Sequence, residues 1–286
     1  METENDVTAP GNPSAASSVT PGVQPILSVD NFTKRYGEKC AVDDVSLAVM
    51  PGDIYGFIGH NGAGKTTLIR AVAGVMDFDG GVITIEGRSV KSDAVACKSV
   101  TAYVPDNPDI YDFLTGIQYL TYMGDIFSVN VAVRQQRIQK YGELLLMSDC
   151  LGDLISSYSH GMKQKLVLIG AFLHQPKLLV LDEPFVGLDP QSSFHLKNMM
   201  KELVAGGSAI FFSSHVLEVV EKLCNKLAII NAGRLVQSGL TVDIAGSEGL
   251  EGVFLDLLDN PAAVVPTADS VGAASGGVAG TEQAGR

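Results

Sequence analysis

The sequence of 286 residues lacks any apolar stretch long enough to cross a membrane. Its longest apolar run, Leu166 to Leu173, is far shorter than the roughly 18 residues that a spanning helix needs. The acidic and polar residues at the start of the chain are unlike a secretory signal. We therefore expect a soluble protein whose connection to a membrane, if any, depends on a partner.

Basic residues and cysteine are also scarce. The chain has 20 Lys and Arg against 32 Asp and Glu, and its net charge of −12 argues against a nucleic-acid partner, which usually meets a basic face. The four cysteines lie far apart without metal-ligand spacing, so we expect free thiols in a reducing compartment. Hydrophobic residues make up 46% of the chain, which is enough to build a sizeable core.

Both ends of the chain differ in composition from its middle. Residues 1–24 are rich in Pro, Ser, Ala, Thr and Gly, and we expect a disordered N-terminal tail there. Residues 247–286 are predicted to form a short helix, Gly249 to Leu258, followed by a disordered Gly- and Ala-rich tail. Residues 25–246 are then predicted to form one folded domain.

The middle of the chain changes its pattern twice. Strands and turns alternate up to about Val104, helices fill about Thr115 to Leu173, and strands then alternate with helices. The predicted strands are Ile26–Phe32, Val45–Val49, Ile54–Ile58, Val82–Glu86, Val100–Val104, Leu178–Asp182, Ala209–Ser213, Lys226–Ile230 and Arg234–Gln237. This order predicts a largely parallel sheet covered by helices, with a helical insertion.

A glycine-rich stretch lies between a predicted strand and a predicted helix. It reads Gly59-His60-Asn61-Gly62-Ala63-Gly64-Lys65-Thr66-Thr67 and fits the pattern of a phosphate-binding loop. The apolar run Ile54–Ile58 precedes it, and a helical stretch from Thr67 to Val75 follows it. The alternative is a chance Gly-rich turn, but the strand–loop–helix context favours a site for a nucleoside triphosphate.

The residue types of this loop suit a polyphosphate. Its glycines let the backbone curl so that several N–H groups point inward, and the helix N-terminus adds partial positive charge. Lys65 supplies a full charge at the β- and γ-phosphates, and the Thr66 hydroxyl suits a Mg²⁺ ion.

A second cluster of polar residues ends the apolar strand Leu178–Asp182. Asp182 is placed to hold a Mg²⁺ ion shared with the nucleotide, and Glu183 to polarise a water for attack on the γ-phosphate. The alternative is an ordinary strand that ends in a solvated acidic turn. Downstream of a phosphate-binding loop, the site is the better interpretation.

From about Ile26 to Gly239, the chain resembles the ABC ATPase family. The motifs occur in the family's order and are similar to its adenine-stacking aromatic residue, signature motif, Walker B motif, D-loop and switch histidine. In this sequence they are Tyr36, Tyr158-Ser159-His160-Gly161-Met162-Lys163-Gln164, Asp182-Glu183-Pro184, Gly187-Leu188-Asp189-Pro190 and His215.

The resemblance implies an α/β fold of the P-loop NTPase class: a RecA-like core, an antiparallel β subdomain and a helical subdomain inserted at about 107–175. It implies ATP and Mg²⁺ as cofactors, with Glu183, His215 and Lys65 as catalytic residues. Thr66, Asp106 and Asp182 would be the metal ligands. The implied nucleotide-binding residues are Tyr36, Gly59, Asn61, Gly62, Ala63, Gly64, Lys65, Thr66, Thr67, Ser159, Gly161 and Asp189.

The chain departs from the family pattern at two positions. His160 stands where the family usually has Gly, and Asp106 stands where it often has Gln. Acidic residues near that second point, and the following segment Asn107 to Thr115, are similar to the multidrug and bacitracin export branch. The same segment is where the family docks its membrane partner.

We therefore expect the ATP-hydrolysing subunit of an ABC transporter of the export type, on the cytoplasmic face of the cell membrane. The implied partners are a membrane-spanning permease and a second ATP-binding subunit, either an identical copy or a paralogue, in a head-to-tail dimer. One alternative is an ABC ATPase of translation or DNA repair, disfavoured by chain length and acidic charge. Another is a regulatory subunit that binds ATP but barely hydrolyses it.

Several other polar residues are expected to have no functional role. His174 and His195 flank predicted helices and are predicted to lie at the surface. The charges of Glu218, Glu221 and Lys222 are predicted to form a solvated helix face.

Overall fold

Two sheets and the helices around them form the fold. The computed structural model describes residues 23–247 and 249–259, so most of the predicted N-terminal tail and all of 260–286 lie outside the described residues. The strands are β1 (Leu27–Tyr36), β2 (Lys39–Val49), β3 (Ile54–Ile58), β4 (Gly80–Ile85), β5 (Arg88–Ser89), β6 (Thr101–Val104), β7 (Leu178–Asp182), β8 (Ala209–Ser214), β9 (Lys226–Asn231) and β10 (Arg234–Leu240).

The helices lie between these strands and after the last of them. They are α1 (Lys65–Val72), α2 (Ala94–Val100), α3 (Gly116–Ile126), α4 (Val131–Leu144), α5 (His160–Leu173), α6 (Pro190–Ala205), α7 (Leu217–Leu223), α8 (Thr241–Ala245) and α9 (Gly249–Asp259). No helix in this described part of the chain is long and apolar enough to cross a membrane.

The central sheet has the strand order β10-β9-β3-β8-β7-β6, and all neighbours except β10 and β9 run parallel. Every residue of β3, β7 and β8 is buried, as expected of strands covered on both faces. Because parallel strands end at the same edge, the loops after β3, β7 and β8 meet there. The predicted parallel core is thereby confirmed.

The second sheet is antiparallel, with the order β2-β1-β4-β5. Its core residues form one apolar cluster with one face of the central sheet, to which Phe57 and Phe211 contribute. The opposite face, with Ile58 and Phe212, belongs to a second cluster that includes the inserted helices α3 to α5. Because side chains alternate between the two faces along each strand, the central sheet packs against the antiparallel sheet on one face and against the inserted helices on the other.

Two features differ from the sequence-based expectations. The ring of His174 is not free at the surface but stacks on Phe127 with centroids 3.7 Å apart. The short helices α2 and α8 were not predicted. Glu218, Glu221 and Lys222 are exposed, as expected of a solvated helix face, and Oε2 of Glu221 also accepts a hydrogen bond of 3.0 Å from the backbone N–H of Leu250 at the start of α9.

Candidate active site

The glycine-rich loop connects β3 to α1 at the edge where the parallel strands end. The helix begins at Lys65, two residues before the predicted start, and Gly64 precedes it with φ +113°. A Cβ at Gly64 would lie 2.7 Å from the Ala41 carbonyl oxygen, and one at Gly59 would lie 2.4 Å from the Ile230 carbonyl oxygen. These two glycines are therefore required by close approach of neighbouring backbone.

Lys65 folds back over the loop that precedes it. Only 7% of the residue is exposed, and its Nζ donates hydrogen bonds to the carbonyl oxygens of Gly59 at 2.7 Å and His60 at 3.3 Å. The remaining predicted loop residues surround it: Ala63 is buried, Thr66 and Thr67 are half-buried, and Asn61 and Gly62 are exposed. The positive charge is thus held at the mouth of the loop.

Asp182, at the end of β7, is completely buried. Its Oδ1 accepts a hydrogen bond of 2.5 Å from the Ser213 hydroxyl on β8. Burial raises the pKa of the carboxyl, whereas the hydroxyls of Ser213 and Thr66 act in the opposite direction. The other oxygen, Oδ2, is buried and accepts no hydrogen bond of ordinary geometry within the described residues.

This arrangement fits a Mg²⁺ ion. An orphaned carboxylate oxygen beside a hydroxyl offers the hard oxygen ligands that Mg²⁺ prefers. In the described part of the chain, no three His, Cys, Asp or Glu side chains form a metal-binding group.

Glu183 follows directly and has φ +49°, which is unusual for a residue other than glycine. Its Oε2 lies 2.9 Å from Nδ1 of His215 and 3.3 Å from the His215 backbone N–H. Its Oε1 lies 3.8 Å from Nζ of Lys65. The structure therefore brings together the three residues that were predicted to be catalytic.

Ser213 was not among the predicted site residues. Its hydroxyl donates to Asp182 and also accepts a 3.0 Å hydrogen bond from the backbone N–H of Glu183. Asp182 and Ser213 are register partners in the parallel pair of β7 and β8. That pairing of distant segments carries no local sequence signal, so only the sheet register identifies the serine.

Asp106 lies just beyond β6, the edge strand next to β7, and is exposed. Its charge helps to raise the pKa of Asp182, as a smaller cause than burial. The pKa of Tyr103 is likewise raised, first by burial and then by the charge of Asp182. Asp106 therefore acts electrostatically on the same acidic cluster.

Tyr36 lies at the turn between β1 and β2 and is 52% exposed. Its hydroxyl donates to the Met76 sulfur at 2.9 Å, and Nζ of Lys34 lies 5.5 Å from the ring centroid. Further along β2, the Ala41 carbonyl closely approaches Gly64 of the loop. The ring is thus an exposed aromatic surface on a hairpin that packs against the phosphate-binding loop.

The predicted signature residues form a second group at the start of α5. The Ser159 hydroxyl caps this helix by accepting from the Met162 backbone N–H at 3.3 Å. Gly161 lies within the first turn, not ahead of the helix, and a Cβ there would be 2.5 Å from the Gly187 carbonyl oxygen. The His160 ring edge lies against Gly187 as well.

Asp189 joins this second group. It caps α6 by accepting a 2.8 Å hydrogen bond from the Ser192 backbone N–H, and it pairs with Nζ of Lys165 at 2.5 Å. The hydrogen bond from Lys165 is the main cause that lowers the pKa of this carboxyl. The segment from Glu183 to Asp189 therefore connects the two groups of predicted site residues.

Comparison with known proteins identifies the family. The family model described as ABC transporter matches residues 42–186. The chain belongs to the ABC transporter family. A model described as AAA domain, putative AbiEii toxin, Type IV TA system, matches the overlapping stretch 154–221.

Individual ABC proteins agree with this assignment. The linearmycin resistance ATP-binding protein LnrL of Bacillus subtilis (strain 168) is 32% identical over 78% of this chain and 72% of the relative. The Nod factor export ATP-binding protein I of Cupriavidus pinatubonensis (strain JMP 134 / LMG 1197) is 31% identical over 80% and 70%. A solved structure of an ATP-binding subunit of an ABC transporter has a TM-score of 0.78 at 30% identity, covering 82% and 99%.

Membership of this family establishes the general activity. The chain is an ATP-binding subunit of an ABC transporter, and ATP hydrolysis by such subunits is coupled to transport. ABC subunits of this kind dimerise and work with membrane-spanning permeases.

Proposed function

We propose that this ABC subunit hydrolyses Mg²⁺-bound ATP to energise export through a separate permease, at the cytoplasmic face of the membrane. The contact network of Lys65, Glu183 and His215 around the loop is the observation that carries the hydrolytic part. Support for export comes from the relatives, whose names refer to linearmycin resistance and Nod factor export.

In the proposed reaction, the backbone of the glycine-rich loop and Nζ of Lys65 bind the β- and γ-phosphates. The exposed ring of Tyr36 stacks on the adenine. Asp182 and Thr66 would hold the Mg²⁺ ion, with Asp106 reaching it through water; when bound, the ion would neutralise charge on the phosphates. Lys65 Nζ must leave the Gly59 carbonyl to do this, and the flexible four-carbon side chain permits that movement.

Glu183 then orients and deprotonates the attacking water, which is the role of a general base. His215 holds the carboxylate of Glu183 through its ring and its backbone N–H, so that one oxygen keeps a fixed direction. The Ser213 hydroxyl fixes the backbone of Glu183 by accepting a hydrogen bond from its N–H. The water would thus meet a carboxylate whose position is set before ATP arrives.

We further propose that each ATP site is completed by a second subunit. Ser159 and Gly161 lie at the start of α5, whose first backbone N–H groups suit a phosphate, and Gly161 packs against Gly187. In a head-to-tail dimer, this helix start would close over the loop of the partner. A twofold arrangement forms both sites together or neither.

The surface proposed for the permease is an exposed aromatic patch, defined here as Tyr111, Phe113, Tyr122 and Ile126. The rings of Tyr111 and Phe113 lie 5.8 Å apart, and those of Tyr111 and Tyr122 lie 5.9 Å apart. All four side chains are exposed although they are large and apolar or aromatic. Such a clustered patch is typical of a protein interaction site.

Transport by inverted membrane vesicles tests the proposed direction. The chain is expressed with its permease, ATP is added outside, and uptake of labelled linearmycin, the compound named for one relative, is followed together with other candidate compounds. An exporter fills the lumen in an ATP-dependent way, and a Glu183→Gln subunit abolishes the uptake. ATP-dependent loss of preloaded compounds, with no accumulation, would identify an importer.

A further inference from the structure

A short backbone ladder ties the aromatic patch to the signature segment. The residues between β6 and α3 run beside those just before α5, and Thr115 and Leu154 form an antiparallel bridge. Four further hydrogen bonds close this ladder, from Ser156 N–H to the Asp112 carbonyl (3.1 Å), Ile155 to Leu114 (2.9 Å), Gly116 to Asp153 (3.2 Å) and Ile117 to Leu151 (2.7 Å). Backbone hydrogen bonds therefore join the two segments along their length.

Close packing beside the ladder restricts sliding of its two segments past each other. The Tyr158 hydroxyl donates to the Cys150 carbonyl oxygen at 2.5 Å. A Cβ at Gly116 would lie 2.4 Å from that hydroxyl oxygen. Burial raises the pKa of Tyr158 to about 12, so the phenol stays protonated and keeps donating. Tyr158 immediately precedes Ser159, the cap of α5.

An ion pair closes the other side of the ladder. Nζ of Lys163 lies 2.6 Å from Oδ1 of Asp112. The Lys163 side chain is only 22% exposed, and its backbone N–H donates to the Ser159 carbonyl at 3.0 Å in the first turn of α5. Asp112 lies between Tyr111 and Phe113 of the aromatic patch. The pair thus joins the patch directly to the helix that begins at the signature residues.

We propose that Asp112 and Lys163 are positioning residues that transmit the docking of the permease to the signature helix α5. This inference depends on the proposed function, because it assumes that the permease contacts the aromatic patch. A shift of Tyr111 and Phe113 on docking moves Asp112, and Asp112 moves the first turn of α5 through Lys163. The ladder ensures that the preceding segment follows.

The test compares the ATPase rate of the complex with that of the free subunit. The tagged full-length chain is purified with its permease from detergent-solubilised membranes, and also alone. Asp112→Lys places two like charges together, and we expect the ratio of complex rate to free rate to fall about threefold or more. The free subunit's rate and the amount of co-purified permease are measured for every variant, and the complex rate is expressed per bound permease, so that weaker permease binding is scored separately from lost transmission.

Reversal of both charges gives the decisive variant. Asp112→Lys combined with Lys163→Asp restores the pair with opposite polarity, and most of the lost rate ratio should return. If Asp112 only contacted the permease, Lys163→Asp would not rescue it. A matched control is Glu202→Gln, which breaks the exposed ion pair between Lys140 of α4 and Glu202 of α6 and should leave the ratio intact.

The outcomes separate the inference from the function on which it depends. If Asp112→Lys keeps the full rate ratio, or if the double variant stays as low as the single one, the transmission role is overturned while the transporter function stands. If the wild-type chain co-purifies with no membrane protein and shows no change of rate, both the proposed function and this inference fail.

Discussion

Glu183 and His215 are joined twice, through a 2.9 Å contact between Oε2 and Nδ1 and through a 3.3 Å hydrogen bond from the His215 backbone N–H to the same oxygen. Glu183 also adopts φ +49°, a conformation that costs an L-residue about 1 kcal/mol or more. The ends of β7 and β8 together hold this strained conformation. Such strain beside a buried Asp182 is typical of a site prepared for chemistry.

Replacement of Glu183 by Gln is expected to leave ATP binding intact and to slow hydrolysis by about 10²–10⁴-fold. The amide keeps the volume but cannot accept the proton of the attacking water. Nucleotide titration and phosphate release measure the two effects, with Glu202→Gln on the exposed face of α6 as the matched control. A Glu183→Gln subunit that turns over at the wild-type rate would mean that another residue is the base.

Replacement of Lys65 by Ala is expected to abolish ATP binding or nearly so. The change removes the only full positive charge that the described structure places inside the loop, and the phosphates are left under-neutralised. Lys140→Ala, at an exposed lysine on α4, is the control for loss of one positive charge. Unchanged affinity of the Lys65→Ala protein in a calorimetric titration would refute the assignment of this loop.

Two inactive variants are expected to restore activity when mixed, if the subunit pairs with itself. Ser159→Arg blocks the signature side and Lys65→Ala blocks the loop side, so each mixed dimer keeps one intact composite site. The rate per molecule of the wild-type protein should also rise with concentration. A constant rate down to nanomolar protein, with monomer throughout turnover in scattering measurements, would exclude the composite site.

His174 is expected to make the protein less stable at acidic pH. Burial against Phe127, with a smaller contribution from Arg137, lowers the pKa of His174 from 6.5 to about 4. The unfolded chain therefore binds a proton that the folded chain does not between about pH 6.5 and pH 4, and stability falls as the pH drops through this range.

Urea unfolding at several pH values measures this effect. A His174→Phe variant keeps the stacking and lacks the titrating group, so the acid-dependent loss should shrink by an amount on the order of 3 kcal/mol at most. His195→Phe, next to the exposed Phe194, serves as the control for removal of a histidine from another site. Identical profiles for wild type and His174→Phe would show that the pKa of this histidine is not lowered.

Asp53 is expected to be a major determinant of stability. It is 4% exposed and accepts hydrogen bonds from the Met50 backbone N–H (2.8 Å), Nδ2 of Asn225 (2.8 Å) and Nζ of Lys226 (3.0 Å). Asp53→Ala leaves these donors unpaired and should lower the free energy of unfolding by about 3 kcal/mol or more.

Thermal or chemical unfolding measures this loss. The control is Asp149→Ala, because Asp149 is exposed and its replacement should change the free energy of unfolding by less than about 0.5 kcal/mol. A loss of that small size for Asp53→Ala as well would mean that water satisfies the donors around Asn225 and Lys226.

Much of the fold follows from local patterns. The apolar runs within β3 and β7 predict buried parallel strands, and the observed bounds agree with the prediction at every residue. Helix α1 begins two residues earlier than predicted, since the loop glycines end at Gly64. The helix α8 was missed because five residues carry too little periodicity to show an amphipathic face.

The sequence by itself determined the features that lie close together along the chain. The glycine-rich loop with Lys65 and the acidic pair Asp182 and Glu183 are local, since residue type and spacing suffice to predict a phosphate and metal site. The order of the motifs then predicted the ABC family, and the match of the ABC transporter family model to this chain agrees with that prediction.

Only the tertiary structure decided the contacts between distant segments. Ser213 reaches Asp182 through strand register, Lys163 reaches Asp112 across the helical insertion, and the exposed Glu221 accepts a hydrogen bond from the start of α9. The environment of His174 likewise depends on Phe127 from another helix end. A pattern along one segment cannot specify these partners, because each pairing depends on how separate elements pack and not on their own periodicity.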